Sequence, residues 1–178
     1  MHQQILQFWF EEAGPASWWK VDVDFDELIR QRFGELLQQA SQGELFSWRN
    51  SAQGRLAEII VLDQFSRNVY RGTAGAFAQD TVALVLAQEA IRVGDDQKLP
   101  PNERSFIYLP FMHSESRLIH QQAERLFRDN GQQGSYEFEL KHKAIIDRFD
   151  RYPHRNKILG RKSTAEELEF LQQPNSSF

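Results

Sequence analysis

The stretch Leu56 to Gly72, LAEIIVLDQFSRNVYRG, constrains the fold more than any other part of the chain. Its apolar residues Leu56, Ile59, Ile60, Val61, Leu62, Phe65 and Val69 surround a helical axis instead of forming one stripe, the mark of a helix enclosed in the centre of a fold. Asp63 and Arg67 stand four residues apart within it, so they share a face in line with Leu56 and Ile60. A charge is tolerated there only when it is paired and hydrogen-bonded. The pair is thus either a clamp between helices or the floor of a site, and Gln64 and Asn68 repeat the spacing beside it.

The remaining periodicity is helical too. Gln3 to Glu11 reads as a short apolar helix stopped by Gly14 and Pro15. Asp24 can cap a helix to about Ser41, with Phe25, Leu28, Ile29, Phe33, Leu36 and Leu37 at spacings of three and four. Ser51 can cap the buried segment ending near Tyr70, and Asp80 or Thr81 opens a helix to Gly94 that is apolar on most sides, so these two are expected to form an inner layer. Pro100 and Pro101 start Glu103 to His113, in which Pro110 deprives the Phe106 carbonyl of its partner and imposes a kink. Further helices run from about Glu115 to Asp129 and from Tyr136 to Arg151, and Ser163-Thr164-Ala165-Glu166 reads as a capping box. The expected fold is one all-α domain over residues 1–178, an irregular array of seven to eight antiparallel helices, with no fixed-period repeat.

Composition narrows the function classes. The chain has no cysteine, which removes a disulfide framework, a thiolate metal site and a thiol nucleophile, and agrees with a cytoplasmic home. Residues 1–12 lack the basic start and cleavage site of a signal peptide, and no apolar run approaches a membrane span. A net charge of −4 argues against a generic nucleic-acid binder. Between Lys141 and Lys162, however, eight Lys or Arg face only Asp147 and Asp150, a local basic patch that is either a solvated face or an anion site.

Several polar residues fall on apolar faces or in structured loops. Glu115 lies in the stripe of Ile119, Gln122 and Leu126, near a helix start where the dipole favours a carboxylate. His142 sits among Phe138, Ile145, Ile146 and Phe149, either as a hydrogen-bonded core residue or as a functional group. The segment from Arg151 to Asn156 leaves the helix at Pro153 and offers His154, Arg155 and Asn156 from a loop, where an Arg fork suits carboxylate or phosphate. The alternative is a loop whose side chains tie down the carboxy-terminal helix. His113, Glu115, His120, His142 and His154 lack metal-binding spacing, since His113 and Glu115 on one helix would diverge by about 200°. No metal is therefore expected, and no phosphate loop, dinucleotide fingerprint or nucleophile elbow names a cofactor.

Five ordered blocks, FWF at 8–10, SWW at 17–19, LDQFSRNVYRGTAGAFAQD at 62–80, FIYLPFMHSE at 106–115 and RFDRYPHRNKILGRKSTAEE at 148–167, resemble the bacterial family called domain of unknown function 924. The resemblance spans nearly the whole chain. It implies an all-helical fold similar to tetratricopeptide-repeat proteins and brings no established activity. The positions matching its motifs are Asp63, Gln64, Arg67, Asn68, His113, Glu115, Arg151, His154, Arg155 and Asn156. Where the family pattern reads RFGRFPHRN, this chain has Asp150 for the glycine and Tyr152 for the phenylalanine.

Together these readings predict a small-molecule site between the buried helix at 56–70, the kinked segment at 110–115 and the loop at 153–156. Arg67, Arg155 and Asn156 would hold an anionic or polar ligand, assisted by Gln64, Asn68, His142 and Arg151, with Asp63, Glu115, His113 or His154 for proton transfer. A helical scaffold binding a peptide or protein partner is the alternative, and a set of structural staples the third reading.

Overall fold

The computed structural model describes residues 1–174, 176 and 177, and among them there is helix, turn and loop but no strand. In chain order the helices are α1 (His2–Gln7), α2 (Pro15–Trp18), α3 (Val23–Ser41), α4 (Ala52–Ile60), α5 (Ser66–Val69), α6 (Asp80–Arg92), α7 (Pro101–Met112), α8 (Arg117–Asn130), α9 (Gln133–Phe149) and α10 (Ala165–Phe170). The all-α expectation holds.

The predicted central segment is one helical rod in which α4 passes into α5 through the π-helical turn Val61–Phe65. Leu56, Ile59, Ile60, Val61, Leu62 and Phe65 have no exposed surface. Each such side chain contributes roughly 1.5 to 3 kcal/mol by leaving water. Around the rod pack α1, α3, α6 and α7, and the chain then turns outward as the α7, α8 and α9 hairpins.

Local signals set the helix ends. Asp22, rather than Asp24, caps α3 by accepting from the amides of Asp24 and Phe25, and Ser51 caps α4 by accepting from Gly54 at 3.1 Å. Gly54 is required there for space: a Cβ would lie 2.0 Å from the Trp48 carbonyl oxygen of the preceding 3-10 turn, Phe46–Asn50. The capping box forms one residue beyond its predicted place, with Thr164 and Glu167 as partners. Ser163 is drawn away to Asn156, and Glu166 to Arg148.

Aromatic side chains dock the amino-terminal segment. Trp9 meets Phe65 and Phe106, Trp18 stands edge-on to Phe106 at 4.8 Å between centroids, and the Trp18 indole donates to the Trp9 carbonyl at 2.8 Å. The inner-layer expectation for α6 needs correction. Ala83, Ala87 and Ala90 form a small-residue stripe on the core, but Val82 and Val85 face outward at 41% and 55% exposure. Apolar composition alone could not separate a buried helix from a half-covered one.

Candidate functional site

The π-helical turn inserts one extra residue per turn just where Asp63 lies, and such bulges recur at functional sites. Asp63 is 1% exposed. Its Oδ1 lies 2.7 Å from His113 Nδ1 and 3.2 Å from Arg67 Nη1, and its Oδ2 accepts from the Gln64 amide at 2.6 Å. Arg67 turns its two terminal nitrogens onto Asp80 at 2.9 and 3.1 Å, and Asp80 in turn accepts from Arg155 Nη1 at 3.2 Å. Opposite charges thus alternate along Asp63, Arg67, Asp80 and Arg155, which makes their joint burial tolerable. Asp80 opens the 13-residue α6, where the helix dipole also favours its carboxylate.

Burial works against the charge of Asp63, but Arg67 and the hydrogen bonds of His113 and Gln64 outweigh it and hold the carboxyl below its ordinary range. For His113, burial and then the Arg67 charge push the imidazole down, against the pull of Asp63. The ring is therefore neutral at pH 7, and the charge that keeps Asp63 ionised is that of Arg67. A neutral ring facing a carboxylate donates from Nδ1, which leaves the lone pair on Nε2.

His113, Ser114 and Glu115 form the break between α7 and α8, and this break removes the angular objection raised by a continuous helix. Glu115 lies outside α8, not in its apolar stripe as expected, because Ser116 takes the position before the first helical residue. Its carboxylate accepts from the Tyr152 amide at 2.7 Å and from two nitrogens of Arg161 at 2.6 and 2.9 Å. The Arg161 and Tyr152 contacts hold it below the usual carboxylate range although burial opposes them.

The peptide units Met112–His113 and Ser114–Glu115 are held from below. The Tyr152 hydroxyl donates to the Met112 carbonyl, and His120 Nε2 lies 2.8 Å from the Ser114 carbonyl. A carbonyl can only accept, so that nitrogen carries a proton. The other, Nδ1, meets Glu139 Oε1 at 2.8 Å, and neither His120 nor Glu139 has exposed surface. Burial pushes the Glu139 carboxyl up, against the opposing pull of His120.

A cavity of about 300 Å³ opens above these groups, lined by Phe77, Asp80, Thr81, His113, Glu115 and Arg155 among others. Arg155 is 6% exposed. The rings of Phe77 and Tyr152 cover its guanidinium, each 4.5 Å from the central carbon, and Nη1 is held by Asp80. Its Nε is buried with no hydrogen-bond partner among the described residues. Burial first, and the Arg67 charge second, lower its affinity for its own proton, with Asp80 in opposition.

The structure brings together Asp63, Gln64, Arg67, His113, Glu115 and Arg155 from the predicted set. His142 and His154 lie one layer away, their rings 5.8 and 5.6 Å from that of Tyr152, and burial pushes them down to about 3 and about 4. Asn68 belongs elsewhere, donating at 2.7 Å to Asp26, which also holds Arg71. Arg151 and Asn156 bond Glu167 and so fasten α10. The arginines of the basic patch are spent in the same way: Arg148, Arg151, Arg155 and Arg161 each meet a carboxylate.

Sequence reasoning missed Asp80, Phe77, Tyr152 and Arg161 as members of the site, and Glu139 as the partner of His120. Asp80 reads in the sequence as a helix start and as the last residue of the block at 62–80, and no local spacing links it to Arg67 or Arg155. No group of three or more His, Asp or Glu side chains among the described residues is arranged to hold a metal ion, and no described helix is long and apolar enough to cross a membrane.

Fold and cavity together define an all-helical protein with a buried chain of alternating charges beside a small pocket. The sequence profile of domain of unknown function 924, described as bacterial protein of unknown function, matches residues 5–175, and the chain belongs to that family. A solved structure of a protein of unknown function from Agrobacterium tumefaciens is similar, with a TM-score of 0.91 at 40% identity over 96% of each chain. No functionally curated protein matches.

Proposed function

We propose that the cavity is a binding site for a small anionic or polar molecule and that the Asp63–His113 pair serves it as a proton acceptor. One observation carries the reading. The neutral imidazole of His113, its Nδ1 held by Asp63 at 2.7 Å, lines the same cavity as Arg155, whose Nε has no partner. Arg155 supplies a positive anchor, and the oriented imidazole supplies an unprotonated nitrogen at neutral pH. Hydrolysis or another reaction that moves a proton is the class this supports. The proposed setting is the cytoplasm, in keeping with a cysteine-free sequence.

The scaffold alternative, a fold akin to tetratricopeptide-repeat proteins with a peptide in a groove, calls for a long trough lined by aromatic side chains. A cavity of about 300 Å³ between helix ends favours the smaller ligand. The test is the melting temperature of the full chain across a panel of carboxylates, phosphates and nucleotides. A ligand at about 100 times its Kd adds roughly 2.7 kcal/mol of stability. The expected result is a saturable rise with at least one class, and a flat response to the whole panel would remove the proposal.

A further inference from the structure

The guanidinium of Arg155 lies against two rings and is bonded at one nitrogen, and its remaining edge is not used. Phe77 and Tyr152 each lie 4.5 Å from its central carbon and Asp80 takes Nη1, while the buried Nε has no hydrogen-bond partner and Nη2 donates to none of the described residues. These two nitrogens point their N–H bonds in parallel along one side of the group, the geometry that two oxygens of a carboxylate match. The chain itself repeats the arrangement. Arg49 presents Nε and Nη2 to Glu58, Arg71 to Asp26, Arg92 to Glu89 and Arg151 to Glu167, in each case at 2.6 to 2.9 Å.

The charge around the cavity limits what that edge can take. Arg67 and Arg155 balance Asp63 and Asp80, and Arg161 balances Glu115, with His113 neutral. Because these charges already balance, a single carboxylate hydrogen-bonded to Arg155 leaves one uncompensated negative charge, whereas a doubly charged phosphate would leave two beside Asp80 and Glu115. The rest of the wall includes Leu84, Pro110, Leu159 and Ala78, which offer apolar surface and no further cation. Such a wall suits the body of the molecule, not a second charged group.

We infer that the ligand of this cavity is a monocarboxylate with an apolar body, its carboxylate paired side-on with Nε and Nη2 of Arg155 and its body against Leu84, Pro110 and Leu159. The inference rests on the cavity being the binding site, and it names the substrate class. The carboxylate takes the place that a glutamate or aspartate occupies on the four other arginines. His113, in the wall of the same cavity, then meets the body of the molecule, which bears the proton to be moved.

The experiment compares hexanoate, benzoate, hexanamide and inorganic phosphate as probes of the full chain by thermal shift, at matched ionic strength, with calorimetry for the affinities. Hexanoate or benzoate is expected to raise the melting temperature saturably, while hexanamide and phosphate leave it unchanged. In Arg155→Met the shift should vanish. In Arg155→Lys, which keeps the charge and loses the fork, affinity should fall about tenfold. Circular dichroism reports whether each variant is folded, and the lysine variant decides the matter if the methionine variant is not. A larger response to phosphate than to the carboxylates would overturn the monocarboxylate while leaving the anion site standing. Silence from all four probes in this experiment overturns the inference, and silence across the wider panel of phosphates and nucleotides removes the site as well. A carboxylate response that survives intact in both variants overturns the role of Arg155.

Discussion

Asp150 stands where the family pattern has glycine, and it is the one described non-glycine residue with a left-handed backbone, at φ 58°. It ends α9, where the chain must reverse before Arg151 and Tyr152, and the left-handed region is costly for a residue with a Cβ. Its carboxylate meets Arg117 at 2.6 Å, but both side chains are exposed, so the ion pair returns little. Asp150→Gly is therefore expected to raise stability by about 0.5 to 1 kcal/mol, read as an upward shift in the urea midpoint at moderate salt. A lower midpoint would mean that the Arg117 contact outweighs the backbone strain. The neighbouring Tyr152 carries a larger consequence than its exchange for phenylalanine suggests, because its hydroxyl reaches the Met112 carbonyl 40 residues away. No spacing rule reports a contact of that kind.

At the level of elements, the junction of the Phe46–Asn50 turn with α4 sets the start of the central rod. The amide of Gly54 caps onto Ser51 while its α-carbon lies against the Trp48 carbonyl. Gly54→Ala places a methyl 2.0 Å from that oxygen, so the turn and helix must separate. The expected loss is about 2 to 3 kcal/mol, measured by chemical denaturation, even though alanine is the better helix former. A gain in stability would show that the turn yields freely. Most helix ends and caps were legible within two residues, since caps and periodicity are local, although α9 starts at Gln133, three residues before the expected Tyr136, and the short α2 follows the Gly14-Pro15 stop unannounced. The π-helical turn at Asp63 was not, because its sequence carries the same apolar period as the helix on either side.

For the whole molecule, three histidines, the buried His142 and the half-buried His113 and His154, tie stability to pH. His142 and His154 are pushed down to about 3 and about 4, and His113 is lowered as well, all chiefly by burial. Below the ordinary histidine value near 6.5 the unfolded chain takes up these protons and the folded chain does not, so stability falls as pH falls. Each contributes up to about 1.4 kcal/mol per pH unit until its folded value is reached. Glu139, raised by burial, offsets part of this in the same range. Glu167, held at about 2 by Arg151, adds a further loss below the ordinary glutamate value near 4.5. Melting temperature measured from pH 7.5 to pH 4.5 should therefore decline from about pH 6.5 downward. A flat profile to pH 5 would mean that the histidines titrate normally in the fold.

The amino-acid order by itself determined the all-helical class, the central buried rod and the inward direction of Asp63 and Arg67, because each follows from periods of three and four residues within one helix. Only the tertiary structure decided which carboxylate meets which arginine. Asp80 joins Arg67 and Arg155, Glu115 joins Arg161, and Glu167 takes Arg151 and Asn156, through contacts between segments that any of several basic residues could have filled equally well. Local physics places a charge on a face of its helix. The assembled packing then chooses its partner, and leaves the side edge of Arg155 with none.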